Sequence, residues 1–194
     1  MNRRTTAGIL GAVVVLAGIL LLISCGDEEV GPQVGETASE EVIEVTGDDV
    51  DLVPVELYFP DQGGLLSAEE REVAPWTTAE QGARTLLLAV LAGPEDPSLS
   101  APLPPEATLG AVHLTEASVL YVDLISTELA RPPSTGSQME LLSIWSLVDT
   151  VVLGVPEIDS VVLLWNSRQL SDFGGHVDTS LPLSANRGLL RTRR

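Results

Sequence analysis

The chain has 194 residues, 28 of them Asp or Glu and 10 basic, for a formal net charge of -18. Every basic residue is an arginine, which excludes P-loop chemistry, lysine Schiff bases and a lysine general base. So acidic a chain repels phosphates, which excludes nucleic acid as a partner, and its single cysteine leaves no intrachain disulfide or multi-cysteine metal site.

Residues 1–24 read as a signal peptide. Arg3 and Arg4 form a short positive start, Ala7 to Ile23 is an uncharged apolar run, and "LLISCG" places Leu22, Ile23 and Ser24 directly before Cys25. That order is a lipobox, with a thiol to carry a diacylglycerol and small neighbours that admit the peptidase. The apolar run is also near the roughly 17 residues that can just span a bilayer, so an uncleaved anchor is the alternative. Cys25 is the expected lipidation site, with palmitate-type acyl chains, and a diacylglycerol with an added amide-linked chain holds a protein stably. The expected location is the extracytoplasmic face of the cell membrane.

Residues 25–52 are an acidic stretch with Gly and Pro but no periodicity and no arginine. Too little apolar surface can be buried there to offset ordering entropy, so a disordered tether is expected, with an r.m.s. span of roughly 30 Å. It reads either as a spacer lifting a domain off the membrane or as a solvated leader.

Residues 53–190 have the size of one domain. In "LVPVELYFPDQGG" Val53, Val55, Leu57 and Phe59 alternate, predicting a half-buried strand that Pro60 and the Asp-Gln-Gly-Gly cluster end. "LLSAEEREVAPW" reads as an irregular or extended connection. Thr78 with Gln81 makes a capping box, and Ala79, Ala83, Leu86, Leu87, Val90 and Leu91 fall on one helical face until Gly93-Pro94. After a proline-rich loop, "LGAVHLTEASVLYVDLIS" predicts a hairpin. Val112 and Leu114 share one arm's inner face, Leu120, Val122 and Leu124 the other's, and His113 points away from its neighbours towards solvent.

Ser137 with Glu140 reads as a second capping box, opening a helix whose buried stripe is Leu141, Ile144, Trp145, Val148, Val151 and Val152. "IDSVVLLW" is continuous enough for a strand covered on both faces. "FGGHVDTSLPL" sets His176 beside two glycines and two residues ahead of Asp178. The glycines permit a tight bend and Asp178 or Thr179 can cap it, so this is a turn into a last strand. With one other histidine in the chain a metal site lacks ligands, and Ser171, Asp172 and His176 are too close in sequence for a triad. The tail at residues 191–194, within "RGLLRTRR", is basic: contact with anionic lipid is one reading, and a frayed end is the simpler one.

The element order strand, helix, strand, strand, helix, strand gives an α+β single domain, with a four- to five-stranded sheet and two helices packed on one face. At this point the chain resembles the GerMN domain, the sporulation and spore germination family. The resemblance runs through "VELYFPDQGGLL", "EEREV", "ARTLLLAVLAGP", "PLPPEATLGAVHLTEASVLYVDLI", "GSQMELLSIWSLVDTVVLGVPEIDSVVLLWNS" and "GGHVDTSLPL" in that order. "LLWNSRQL" departs from it, standing where the family often has an acidic and glycine turn.

The resemblance implies a non-enzymatic envelope lipoprotein, without a cofactor, whose domain makes contacts with envelope proteins in sporulation, germination or envelope assembly. It also implies that the Gly174-Gly175-His176 segment is structural. A binding module for a wall glycan or small ligand is the alternative; it would need an exposed aromatic cleft, for which Trp76, Trp145 and Trp165 are the main candidates. An envelope hydrolase, needing paired acids in a pocket, comes third.

Overall fold

A computed structural model describes residues 51–192. The expected signal peptide, Cys25, all but the end of the expected tether, and Arg193 and Arg194 lie outside the described residues. No helix among the described residues is long and apolar enough to cross a membrane.

The chain forms β1 (Val53–Pro60), β2 (Leu66–Val73), α1 (Ala79–Leu91), β3 (Thr108–Leu114), β4 (Val119–Ile125), α2 (Ser137–Gly154) and β5 (Ser160–Trp165). Three two-residue strands follow, β6 (Arg168–Gln169), β7 (Asp172–Phe173) and β8 (Val177–Asp178), and then a 3-10 turn at Arg187–Leu189. The class is α+β as expected, but β1 does not join the main sheet. It pairs instead with β2, antiparallel over eight residues without a bulge.

The segment expected to be an irregular or extended connection is therefore mostly a paired strand. It escaped the apolar pattern because its inward-facing side chains are polar and bind a loop. The Glu69 carboxylate accepts the N–H groups of Glu95 and Asp96, and Arg71 donates to the Gly93 carbonyl while lying over the Phe59 ring at 6.0 Å. Both prolines of β1 sit where their missing N–H is harmless. Tyr58 directs its N–H and C=O away from β2, so by the two-residue repeat Pro54 and Pro60 face outward too.

The second sheet has the order β3-β4-β5-β6, with β4 and β5 parallel and the other pairs antiparallel. Register aligns Leu120 with Val161, Val122 with Leu163, and Leu124 with Trp165, so these six side chains tile one face. Leu86, Leu87 and Val90 of α1 and Ile144, Leu147, Val148 and Val151 of α2 close over that face in one core, so both helices cover the same side. The hairpin joins the same core through Leu57 and Phe59, while Tyr58 and Leu66 pack with Leu142 and half-buried Trp145 in a second cluster.

Packed between the core and the edge of β1, with the C-terminal segment on it as well, α2 is buried around more of its circumference than a single stripe allows. Leu142 and Leu147 are covered, whereas Leu141, Trp145 and Val152 of the expected stripe are only half-buried.

Polar side chains of each helix satisfy a strand edge that would otherwise be orphaned. Thr150 Oγ1 accepts from the Tyr58 N–H at 3.1 Å, and Ser146 Oγ donates to the Tyr58 carbonyl at 2.5 Å. Across the core, Glu80 accepts the Leu114 N–H at 2.7 Å and Arg84 donates to the Gly110 carbonyl at 2.9 Å. These positions, 146/150 and 80/84, are one helical turn apart, which is what lets each pair reach along a single strand.

The α1 cap is as expected: Thr78 Oγ1 accepts the Gln81 N–H. The α2 cap differs. Gly136, at φ 96°, is the N-cap, and Ser137 makes no capping bond. Only Glu140 reaches back, accepting from the Gly136 and Thr135 N–H groups. The C-terminal segment straps the outside of α2: Trp145 donates to the Ser184 carbonyl and Asp149 accepts the Asn186 N–H at 2.7 Å. Arg191, assigned to a frayed tail, instead pairs with Asp61 at 2.5 Å and donates its N–H to the Leu66 carbonyl.

Candidate functional site

The "GGHVD" segment forms the turn between β7 and β8, as expected of a bend into a last strand. Gly174 and Gly175 both have positive φ, 67° and 107°. His176 faces neither Ser171 nor Asp172. Its N–H donates to Glu140 Oε2 at 3.1 Å and its Nδ1 lies 2.9 Å from the same oxygen. Glu140 Oε1 accepts from Ser134 Oγ and from the N–H groups of Thr135 and Gly136.

That carboxylate is 1% exposed. Burial pushes its pKa up, but the hydrogen bonds from His176, Ser134 and Gly136 outweigh it and hold the group below the usual carboxylate range. Such a hub pins the start of α2 to the last hairpin. Its oxygens are committed to donors from two loops, and no group of three His, Cys, Asp or Glu among the described residues could hold a metal ion.

His113 is mostly exposed and pairs with Glu80 at 3.0 Å. Trp165 is buried in the core with Phe173 edge-on at 6.1 Å, and donates its indole N–H to the Leu129 carbonyl. The "NS" turn after β5 has φ 51° at Asn166 and 63° at Ser167, the signs of a type I′ hairpin turn. Asp123 grips it, accepting Ser167 N–H and Oγ at 2.8 Å each.

Trp76 lines a groove of about 470 Å³ walled by Val53, Val55, Glu56, Tyr58, Pro75 and Leu153, whereas Trp165 only backs a second recess, of about 540 Å³, from its buried position in the core. A methyl group added to Gly82 would sit 2.6 to 2.8 Å from Nε1, Cδ1 and Cε2 of the indole. Those nearly equal distances mean that the ring lies flat on Gly82, with its opposite face turned away from α1. Tyr58 donates its hydroxyl to Glu56 Oε2 at 3.0 Å. Burial, then Glu56, pushes the phenol up to about 12, so it stays a donor. The groove thus combines an aromatic wall, a carboxylate and a fixed hydroxyl. Sequence reasoning named Trp76 only as a candidate; Glu56, Tyr58 and Leu153 carried no signal, because they meet through strand pairing and a helix end far along the chain.

Residues 56–171 match the model of the family described as "Germane: Sporulation and spore germination". The chain belongs to that family. The match stops at Ser171, ahead of the Gly174-Gly175-His176 turn. Among solved structures, the tandem GerMN domains of the sporulation protein GerM from Bacillus subtilis align at 22% identity and TM-score 0.54. That alignment covers 69% of this chain and 46% of the other, so this chain spans about half of the tandem's length. The first GerMN domain of the same protein aligns at 22% identity and TM-score 0.52, covering 70% of this chain and 98% of the other. No curated protein matches.

Proposed function

We propose that this chain is a non-enzymatic, lipid-anchored envelope protein, held at Cys25 on the outer face of the cell membrane, whose GerMN domain makes protein contacts during sporulation, germination or envelope assembly. The observation that supports a contact role over chemistry is where the reactive groups go. The one histidine beside a glycine turn is bound by Glu140, and that carboxylate spends its oxygens on two loops. Placing a photo-cross-linking residue at exposed Leu52 or Tyr121, in living cells, tests the reading. Discrete cross-linked protein species are expected, and their absence at every exposed position sampled counts against it. For the anchor, Cys25→Ser is expected to release the protein from the membrane fraction and abolish acyl labelling; retained labelling defeats the assignment.

The groove at Trp76 favours a second reading, a binding module for a wall glycan or small ligand. An indole face can stack on the apolar face of a sugar, with Glu56 and Tyr58 positioned to meet hydroxyls. Titration of soluble wall fragments against tryptophan fluorescence, with Trp76→Phe as control, separates the two. A response lost in that variant supports the glycan.

A further inference from the structure

The hairpin of β1 and β2 has one strand edge that no described residue pairs along most of its length. Tyr58 gives both backbone groups to α2, so Tyr58 and its opposite residue Ala68 form a pair whose N–H and C=O point away from the partner strand. Counting by twos, Leu66, Ala68, Glu70 and Glu72 all turn their backbone groups outward along β2. Leu66 shows the same parity independently: its carbonyl accepts the Arg191 N–H at 2.8 Å, and it bridges Leu190 in parallel register. From Ala68 to Glu72 no described residue takes these groups. By contrast, α2 covers the outer edge of β1, and α1 takes backbone groups on the edge of β3.

The side chains on this edge say what it repels. Glu70 and Glu72 are exposed, and Glu70 stands directly opposite Glu56. Arg71 does not pair with Glu70 or Glu72, since it projects from the other face and is engaged by Glu69 and Glu95. Charges on an edge commonly guard against self-association. That explains rejection of a second copy, whose edge carries the same carboxylates. It does not explain an eight-residue strand kept in full register, where a short or bulged one would be safer. A long regular edge that repels its own kind still accepts a strand of opposite charge.

We propose that the β2 edge from Ala68 to Glu72 is a strand-addition site for an extended segment of a partner protein, bearing arginine or lysine at alternate positions. Backbone groups of the segment pair with the outward N–H and C=O of Ala68, Glu70 and Glu72, and its basic side chains lie on one face beside Glu70 and Glu72. The proposal rests on the reading of the domain as a protein-contact module and names the chemistry of that contact.

The test uses the full chain, isotope-labelled in detergent, with a synthetic eight-residue peptide alternating Arg and Val as probe. Amide exchange is followed residue by residue. On saturation the Ala68, Glu70 and Glu72 amides are expected to slow by about tenfold or more, while Ser67, Glu69 and Arg71, which face β1, do not change. The E70R/E72R double variant, altered only at exposed side chains, is expected to lose about tenfold in affinity for this peptide and to gain a matching Glu-Val peptide. Absence of binding, binding that leaves those three amides unchanged, or indifference to charge reversal overturns the proposal. Cross-links to a protein partner from another face would leave the contact reading standing even then.

Discussion

A methyl group at Gly174 meets more than one obstacle. The residue has φ 67°, and an added Cβ would lie 2.3 Å from the carboxyl carbon of Glu140. Glu140 cannot swing aside as a surface side chain would, because donors from the loop before α2 and from His176 fix both its oxygens. Gly175, at φ 107°, has open space around it and offers only backbone strain. Gly174→Ala is therefore expected to lose roughly 4 kcal/mol of stability and Gly175→Ala about 2 kcal/mol in chemical denaturation. The reverse order would mean that the Glu140 hub yields easily. Asp149 makes a second test. It is fully buried, Oδ1 accepts the Asn186 N–H, and Oδ2 has no partner among the described residues. Burial pushes its pKa from 3.8 to about 6. The folded state then holds this proton more tightly than the unfolded one, so the group's contribution is present below pH 4 and lost as pH rises to 6. Two pKa units correspond to roughly 3 kcal/mol. Asp61, Glu69 and Glu140 carry lowered values and act with the opposite sign, so the informative quantity is the difference between wild type and Asp149→Asn. Relative to wild type, Asp149→Asn is expected to gain stability between pH 4 and 6 and to hold that gain above 6. A difference that stays flat with pH would place the proton elsewhere.

The contact between α2 and β1 shows how an element can be held by its polar groups. Thr150 and Ser146 supply the acceptor and donor that a neighbouring strand would otherwise give Tyr58. Thr150→Val keeps the shape and removes the acceptor, leaving a buried N–H unmade at a cost of about 1 to 3 kcal/mol. Thr150→Ser, which restores the oxygen, is expected to recover most of that loss in thermal melts. A loss in Thr150→Ser with none in Thr150→Val would assign the role to the methyl group's packing instead. Both helices and the β3-β4 hairpin were legible because their apolar residues repeat at the period of the element, and β5 because its apolar run is nearly continuous. Thr78 and Gly93 marked the ends of α1 because caps are local chemistry. β2 was not legible: beyond Leu66 and Ala68 its side chains face a loop and solvent, so no apolar alternation advertises it. Nor was the hub at Glu140. Ser137 looked like the better cap, and the partner that decides the role of Glu140 lies 36 residues away at His176. The same distance hides the groove, where Glu56 and Tyr58 of β1 meet Trp76 and the end of α2. The turn at Gly174 and Gly175 could be read, because two adjacent glycines state their backbone requirement locally.

Charge is the property the described domain shares with the rest of the chain. With 28 acidic and 10 basic residues, repulsion among carboxylates works against compaction. Among the described residues the opposing ion pairs are few: Arg131 with Asp172 at 3.6 Å is largely exposed, and such a pair contributes about 0 to 1 kcal/mol. Arg191 with Asp61 is better placed, since Ser67 and two backbone N–H groups also donate to Asp61 and hold its carboxyl far below the usual range. This pair and the largely covered Arg71 with Glu69 do not offset a surplus of that size. Screening decides the sign. The Debye length falls from about 30 Å at 0.01 M salt to about 8 Å at 0.15 M, which weakens repulsion across the domain while sparing contacts at hydrogen-bond distance. Raising sodium chloride over that range at pH 7 is therefore expected to raise the melting temperature by about 3 to 8 °C, corresponding to one or two kcal/mol in a domain of this size. Most of the gain should come in the first 0.1 M, where the screening length changes fastest. A melting temperature that falls with salt would mean that the ion pairs, Arg191 with Asp61 and Arg71 with Glu69 foremost, outweigh the net charge. The same titration on Arg191→Gln would then show the fall reduced.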